Sequence, residues 1–247
     1  MKDKMHGAPL MRLCAEYFLW RFLKRYKSYV VMQAAFLRES EILAFTENEE
    51  AAKNLVDHLQ NWIDGIIPIM KLEGLGFYKT RLGTYLTEFW PTLQFAVICI
   101  LGGAYFDAIR NLRFSLESVL DGFRDSARQR ELASSCGDRS SYYSMIESLP
   151  MFSQEEKKEI KALYGKLSEL SHPSPAHLKK LLEEPSRAFV FSYDPDLFVE
   201  CCSFTDEVAG VIFSVVLETW PHIRQKARSE IFFYQSLKRL PFTSERV

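Results

Sequence analysis

Residues 89–123, FWPTLQFAVICILGGAYFDAIRNLRFSLESVLDGF, decide the fold class. The first 18 of them, Phe89 to Phe106, carry no charge, and those after Pro91 are apolar on every side of a helix as far as Leu101. Apolar residues then recur at helical spacing on one side only, at Ile109, Leu112, Leu116, Val119, Leu120 and Phe123. This pattern predicts a helix that breaks at Pro91 and leaves the centre of a core as it proceeds.

The helical period extends over nearly all of the 247 residues. It predicts an all-α protein, a single-domain multi-helix bundle of about seven to nine helices without a significant β-sheet. Residues 134–141, SSCGDRSS, are predicted to form a hinge loop, with a possible subdivision into residues 1–133 and 140–247. Because residues 93–106 and 208–217 lack a polar face, we expect them to be the most buried.

Sequence signals for helix ends occur at several places. Thr46–Glu49 and Ser153–Glu156 have the pattern of capping boxes, and Asp194 before Pro195 that of an N-cap followed by proline. Pro68 is predicted to stop the helix that begins after Thr46, because a proline inside a helix lacks a backbone donor. The helix that begins after Ser153 is predicted to end at His172–Pro173.

The composition is that of a soluble globular protein, with 47% hydrophobic and 26% charged residues. It excludes wholesale disorder and collagen-like repeats. The net charge is −1, but residues 1–30 carry seven Lys and Arg against two acidic residues, and residues 223–247 carry six against two. An anionic ligand and ordinary solvated helix faces both explain these basic termini.

Several familiar sites and compartments are disfavoured. The five cysteines lack a C-x-x-C pair, so we expect neither a disulfide framework nor a zinc site, and a reduced, cytoplasmic location. No phosphate-binding loop, dinucleotide fingerprint or H-E-x-x-H motif occurs, so no cofactor or metal is predicted. Phe89–Phe106 just reaches the length of a membrane span, but its proline, glutamine and two glycines favour a buried helix, and no membrane span is predicted.

One candidate functional segment is residues 163–174, LYGKLSELSHPS. It places His172 in the last turn of a predicted helix, where the helix dipole favours a cation. Lys166 lies within reach of His172 by side-chain length, and Ser168 lies one turn before His172 on the same face. His172 therefore serves either as a simple helix-end cap or as part of a site.

A second candidate segment carries Arg110, Arg113 and Glu117 along one stripe of the helix that follows the apolar stretch. An intrahelical ion pair between Arg113 and Glu117 is one interpretation. The other is an anion-binding cleft in which Arg110 or Arg113 meets His172 across the bundle. Packing of the two apolar stripes should gather the polar residues that border them into one pocket: Arg113, Glu117, Lys166, Ser168 and His172.

The two motifs, Arg113–Glu117 (RFSLE) and Tyr164–Ser174 (YGKLSELSHPS), resemble those of a prokaryotic all-helical family distantly related to the HEPN proteins. The resemblance implies a helical bundle, a homodimer and metal-independent endoribonuclease activity based on an R-x4–6-H motif. Six residues before His172, however, this chain has Lys166 where that motif has arginine. The resemblance is therefore equally compatible with a relative that binds RNA without cleaving it.

The first functional hypothesis is thus a HEPN-like protein that binds RNA or another anionic ligand, without DNA as a partner, and that cleaves RNA if it is an enzyme. Under this hypothesis His172 acts as general acid/base, and Lys166 or Arg113 stabilises the negative charge of the phosphorane. The alternative is a non-catalytic scaffold or adaptor that works through dimerisation or a protein partner. A third is a peripheral membrane protein that uses the basic, aromatic residues 20–27. The first hypothesis assigns catalytic roles to His172, Lys166 and Arg113, and ligand-binding roles to Arg110, Glu117 and Ser168.

Overall fold

The computed structural model describes residues 37–73, 80–129, 141–171, 193–220 and 231–243. Within these ranges the chain forms eight helices and no strand, which confirms the all-α prediction. The helices are α1 (residues 37–47), α2 (Glu49–Glu73), α3 (Arg81–Leu101), α4 (Tyr105–Gln129), α5 (Tyr142–Glu147), α6 (Gln154–Ser171), α7 (Pro195–Thr219) and α8 (Ile231–Arg239).

Helix α4 lies at the centre of the packing and contacts α3, α5, α6 and α7. Every residue of 208–217 on α7 is buried, as predicted. The prediction for residues 93–106 is only partly right, because Phe95 and Ile98 on α3 are 52% and 63% exposed. An unbroken apolar sequence therefore does not imply burial on all sides: one face of α3 is left uncovered by the described helices.

The break predicted at Pro91 is wrong, since α3 continues through Pro91 and ends at Leu101. The turn comes instead at Gly103, whose positive φ of 73° is readily adopted only by glycine. The N–H of Gly103 donates to the Ile100 carbonyl at 3.1 Å and that of Ala104 to the Cys99 carbonyl at 2.7 Å. These are the two hydrogen bonds of a Schellman motif, which satisfies the last carbonyls of the helix.

Pro91 is tolerated inside α3 because it lies on the exposed side of the helix. There, water can bond to the carbonyl that lacks its usual N–H partner. The stop predicted near Pro68 is also wrong, because α2 continues to Glu73. A proline therefore kinks or weakens a helix but need not end it.

Two of the three predicted helix starts are confirmed. The N–H of Ser153 donates to the Glu156 carboxylate at 2.7 Å, and the N–H of Glu156 donates to the Ser153 hydroxyl at 3.2 Å, which completes the capping box of α6. The carboxylate of Asp194 accepts two backbone hydrogen bonds, each of 3.1 Å, at the start of α7. These caps depend only on residues within one turn.

The capping box predicted at Thr46 is wrong. The Thr46 hydroxyl donates back to the carbonyls of Ile42 and Leu43, at 3.0 and 3.2 Å, so Thr46 belongs to the last turn of α1. The chain bends at Asn48, and α2 begins at Glu49. The hinge loop predicted at residues 134–141 lies outside the described residues except for Ser141, the N-cap of α5.

Among the described helices, Leu82–Leu101 is long and apolar enough to cross a membrane, judged by length and composition. Within its most apolar stretch 44% of the residues are buried in the protein. A core helix of a soluble protein meets the same length and composition criteria. The interpretation of this segment as a core helix stays a prediction.

Burial of the cysteine thiols yields a prediction about pH. Burial, with the charge of Asp107, raises the pKa of Cys99 to about 11, and burial, with the charge of Asp206, raises that of Cys202 to about 12. Since the thiolate is the reactive form, iodoacetamide should alkylate Cys202 in the native protein about tenfold faster for each pH unit from 8 to 11. In the urea-unfolded protein the rate should level off near pH 9 to 10. Peptide mass spectrometry measures both, and a native plateau near pH 9 would contradict the prediction.

Candidate functional site

The C-terminal half of α6 packs against α4 and shares with it a group of polar side chains, Arg113, Glu117, Tyr164 and Ser171, which we call the α4–α6 cluster. Arg113 and Glu117 lie one turn apart on α4, and Tyr164 and Ser171 lie two turns apart on α6. Each pair borders an apolar stripe that is buried, at Leu112 and Leu116 on α4 and at Leu163 and Leu167 on α6. Packing of the stripes brings the polar borders together.

The α4–α6 cluster is a continuous network of hydrogen bonds. Arg113 donates from Nε to the Glu117 carboxylate at 2.8 Å and from Nη1 to the Ser171 hydroxyl at 2.9 Å. The Tyr164 hydroxyl donates to the same Glu117 oxygen at 2.9 Å. The Arg113 guanidinium carbon also lies 5.7 Å from the centroid of the Tyr164 ring, within cation–π range.

The charges of the cluster are partly withdrawn from water, since the side chains of Arg113 and Glu117 are 21% and 19% exposed. Burial alone would lower the pKa of Arg113, but the hydrogen bond and charge of Glu117 outweigh it and raise the pKa. Burial and the hydrogen bond to Glu117 raise the pKa of Tyr164. Arg113 therefore stays a cation and Tyr164 stays a hydrogen-bond donor over the whole physiological pH range.

Arg110 reaches the same end of α6 from a more exposed position. Its Nε donates to the Ser171 carbonyl through a long hydrogen bond of 3.4 Å, and its Nη1 donates to the Asp107 carboxylate at 3.0 Å. The side chain is 55% exposed. Two guanidinium groups thus meet the last residue of α6, where the helix dipole favours cations.

The structure brings together part of the predicted pocket. Arg113 and Glu117 form the predicted pair, and Ser168 takes part through its carbonyl, which accepts from the Ser171 hydroxyl at 3.1 Å. The Ser168 hydroxyl is buried next to Tyr164, and its hydrogen bond to that phenol opposes the rise in the pKa of Tyr164.

Lys166 is not part of the cluster. Its Nζ lies 5.8 Å from the centroid of the Phe204 ring on α7, a cation–π contact on another side of α6. His172, the residue with the central predicted role, lies outside the described residues.

Tyr164 and Ser171 were not predicted as site residues, although both lie in the candidate segment 163–174. Tyr164, Ser168 and Ser171 follow one another at four and three residues and so share a helix face. Applied from Ser168 instead of His172, the same spacing rule would have selected the other two. The rule could not have shown that their partners are on α4.

A second polar contact, missed by the sequence analysis, joins α2 to α7. His58 Nδ1 lies 3.0 Å from the Asp206 carboxylate, and the His58 side chain is only 13% exposed. The His58 ring centroid also lies 5.7 Å from that of the buried Trp62. No local signal could have found this pair, because its two residues are far apart in the chain.

Within the described ranges, no group of three or more His, Cys, Asp or Glu side chains is placed to hold a metal ion. Comparison of the chain with protein-family models, with curated proteins and with solved structures finds no match.

Proposed function

We propose that the protein binds single-stranded RNA at the end of α6 and that His172 serves there as general acid/base in metal-independent cleavage. The observation that supports this function best is the approach of Arg110 and Arg113 to Ser171, at 3.4 and 2.9 Å. Ser171 immediately precedes His172 in the sequence. Guanidinium groups are the side chains best suited to hold a phosphate group.

In the proposed reaction the 2′-oxygen of a ribose forms a bond to the adjacent phosphorus, and the bond from phosphorus to the 5′-oxygen breaks. His172 takes the proton from the 2′-hydroxyl and delivers a proton to the departing 5′-oxygen, so that a cyclic phosphate and a 5′-hydroxyl result. An arginine next to the phosphorane stabilises its extra negative charge. A histidine suits this task because its ordinary pKa is near 6.5.

Arg110 and Arg113 are not equally free to bind a phosphate group. Arg113 is held by Glu117 and Ser171 in a partly buried network, so its proposed role is to fix the end of α6. Arg110 shares an exposed ion pair with Asp107, and such pairs contribute little and exchange easily. Arg110 is therefore the proposed contact to the RNA backbone.

The test compares three proteins on a mixed single-stranded RNA with EDTA present: the wild type, His172→Ala and Arg110→Ala. The wild type should cleave, and His172→Ala should lose cleavage while it keeps its circular dichroism spectrum and its RNA affinity. Arg110→Ala should bind more weakly, and its log Kd should depend less on log salt by about 0.7, the value for one phosphate contact of a single strand. Arg38→Ala, which changes an exposed arginine on α1, is the matched control and should behave as the wild type.

Equal, background-level degradation and equal affinity in all four proteins would overturn this function. That result would favour the alternative, a non-catalytic scaffold or adaptor. One feature already agrees with the alternative: each arginine at the end of α6 is paired with a carboxylate, so the arginines and their partners are neutral as a group. A purely structural network has this balance.

A further inference from the structure

Three tyrosines meet at the edge of the α4–α6 cluster, and one of them, Tyr164, belongs to it. The ring centroids of Tyr142 and Tyr143, both on α5, each lie 5.4 Å from that of Tyr164 on α6. Tyr143 meets Tyr164 edge-on, with 85° between the ring planes, an arrangement that aromatic pairs prefer. The group extends the hydrogen-bonded network through Tyr164 to an aromatic surface.

The two tyrosines of α5 face different surroundings. Tyr142 is partly buried, and its hydroxyl donates to the Asp121 carboxylate at 3.1 Å. Tyr143 is 45% exposed. Its neighbours Met145 and Ile146 are buried and anchor α5 in the core. Tyr143 is therefore an aromatic ring held at the surface by a fixed element, with part of its area open to a ligand.

Gly165 gives the Tyr143 side chain room to lie over α6. A Cβ added at Gly165 would meet the Tyr143 hydroxyl oxygen at 3.3 Å, closer than an ordinary contact. Tyr164, whose ring Tyr143 contacts, lies seven residues before Ser171 on the same face of α6, about 10 Å along the helix axis. This distance is short enough for a single strand held by the arginines at the end of α6 to reach Tyr143.

We propose that Tyr143 stacks on an unpaired base of the bound RNA, one position or more along the strand from the phosphate at Arg110; this inference rests on the proposed function. Exposed aromatic rings next to arginines are the usual base-binding elements of proteins that hold single strands. Stacking needs an unpaired base, since bases in a duplex already stack on one another. Tyr143 therefore selects single-stranded over double-stranded RNA and has little preference for sequence.

The experiment uses the full-length protein and a short 2′-fluoro RNA, which lacks the attacking hydroxyl, with 2-aminopurine at each position in turn. At one position the wild type should quench the fluorescence of the probe, because stacking on tyrosine does so. Tyr143→Ala should remove that quenching and weaken binding about 5-fold to 100-fold. Tyr143→Trp should restore both, and Phe95→Ala, which removes an aromatic ring 52% exposed on α3, should change neither.

A duplex of the same length should bind the wild type and Tyr143→Ala equally. If Tyr143→Ala bound the single strand as the wild type does while Arg110→Ala bound it more weakly, the stacking inference would be wrong and the proposed function would stand. If the wild type bound no RNA at all, both would be wrong. Melting temperatures of all variants show whether any loss comes from unfolding.

Discussion

Gly210→Ala is expected to destabilise the protein by about 3 kcal/mol, at the upper end of the range for an overpacked core. Gly210 lies in the buried part of α7, where the chain that follows α8 crosses it. A Cβ at this position would lie 3.0 Å from the carbonyl carbon of Pro241 and closer still to its oxygen. These are backbone atoms, so no rotamer change can relieve the contact.

The segment that Gly210 admits has little freedom to move. The Ser214 hydroxyl donates to the Phe242 carbonyl at 2.8 Å, and the Thr243 hydroxyl donates to the Leu240 carbonyl at 3.0 Å. Leu240 and Thr243 are both buried. To accommodate a methyl group at Gly210, the segment would have to give up these contacts together.

Urea denaturation followed by circular dichroism measures the effect of Gly210→Ala. Gly165→Ala is the matched control, since it is the same substitution in a helix and meets only the end of the exposed Tyr143 side chain. The free energy of unfolding of the control should stay within about 1 kcal/mol of the wild-type value. The higher helix propensity of alanine, worth about 1 kcal/mol over glycine, offsets the cost of the contact with Tyr143. Equal stability of the two variants would show that the crossing at Pro241 is not tightly packed.

Glu117→Ala is expected to lower the free energy of unfolding by about 2 to 3 kcal/mol. Glu117 accepts from Arg113 and from Tyr164 through one oxygen, so its loss leaves a partly buried cation and a phenol without their acceptor. The Arg113→Met, Glu117→Leu double variant should recover part of this loss. Replacing both members of a buried pair removes the unpaired charge.

Asp107→Ala is the matched control for Glu117→Ala. It breaks the Arg110–Asp107 pair, in which both side chains are about half exposed, at 55% and 45%. The change should stay within about 0.5 kcal/mol, because exposed ion pairs contribute little. Thermal and urea unfolding of the wild type and the three variants measure these differences. If Glu117→Ala lowered the free energy of unfolding no more than Asp107→Ala does, the expectation would be contradicted.

The features predicted correctly from the sequence are those in which the interacting residues are close in the chain. The capping box at Ser153 and the cap at Asp194 are satisfied within one turn. The pair formed by Arg113 and Glu117, which was one of two interpretations of that stripe, also lies within one turn. Helical periodicity over many residues likewise fixed the fold class, because the period depends on backbone geometry alone.

The wrong predictions concern competition between local signals or contacts between distant elements. Pro91 is a strong stop signal, but Gly103 supplies the turn that the chain uses. The apolar run of α3 carries no sign of which face its neighbours leave uncovered, so the exposure of Phe95 was missed. Whether Lys166 meets the α4–α6 cluster or Phe204 depends on where α7 lies, which no pattern within residues 154–171 reveals.

The Schellman turn at Gly103 has a consequence for how the chain assembles. It joins α3 to α4, the two helices with the most extensive mutual packing, across the three residues 102–104. Contact between α4 and α7 instead closes a loop formed by the 65 residues between Gln129 and Pro195. For an unfolded connection, the entropy of ring closure makes the longer one costlier by about 3 kcal/mol. We therefore expect the α3–α4 hairpin to form before α4 packs on α7, so that α4 reaches α7 as a member of a preformed pair.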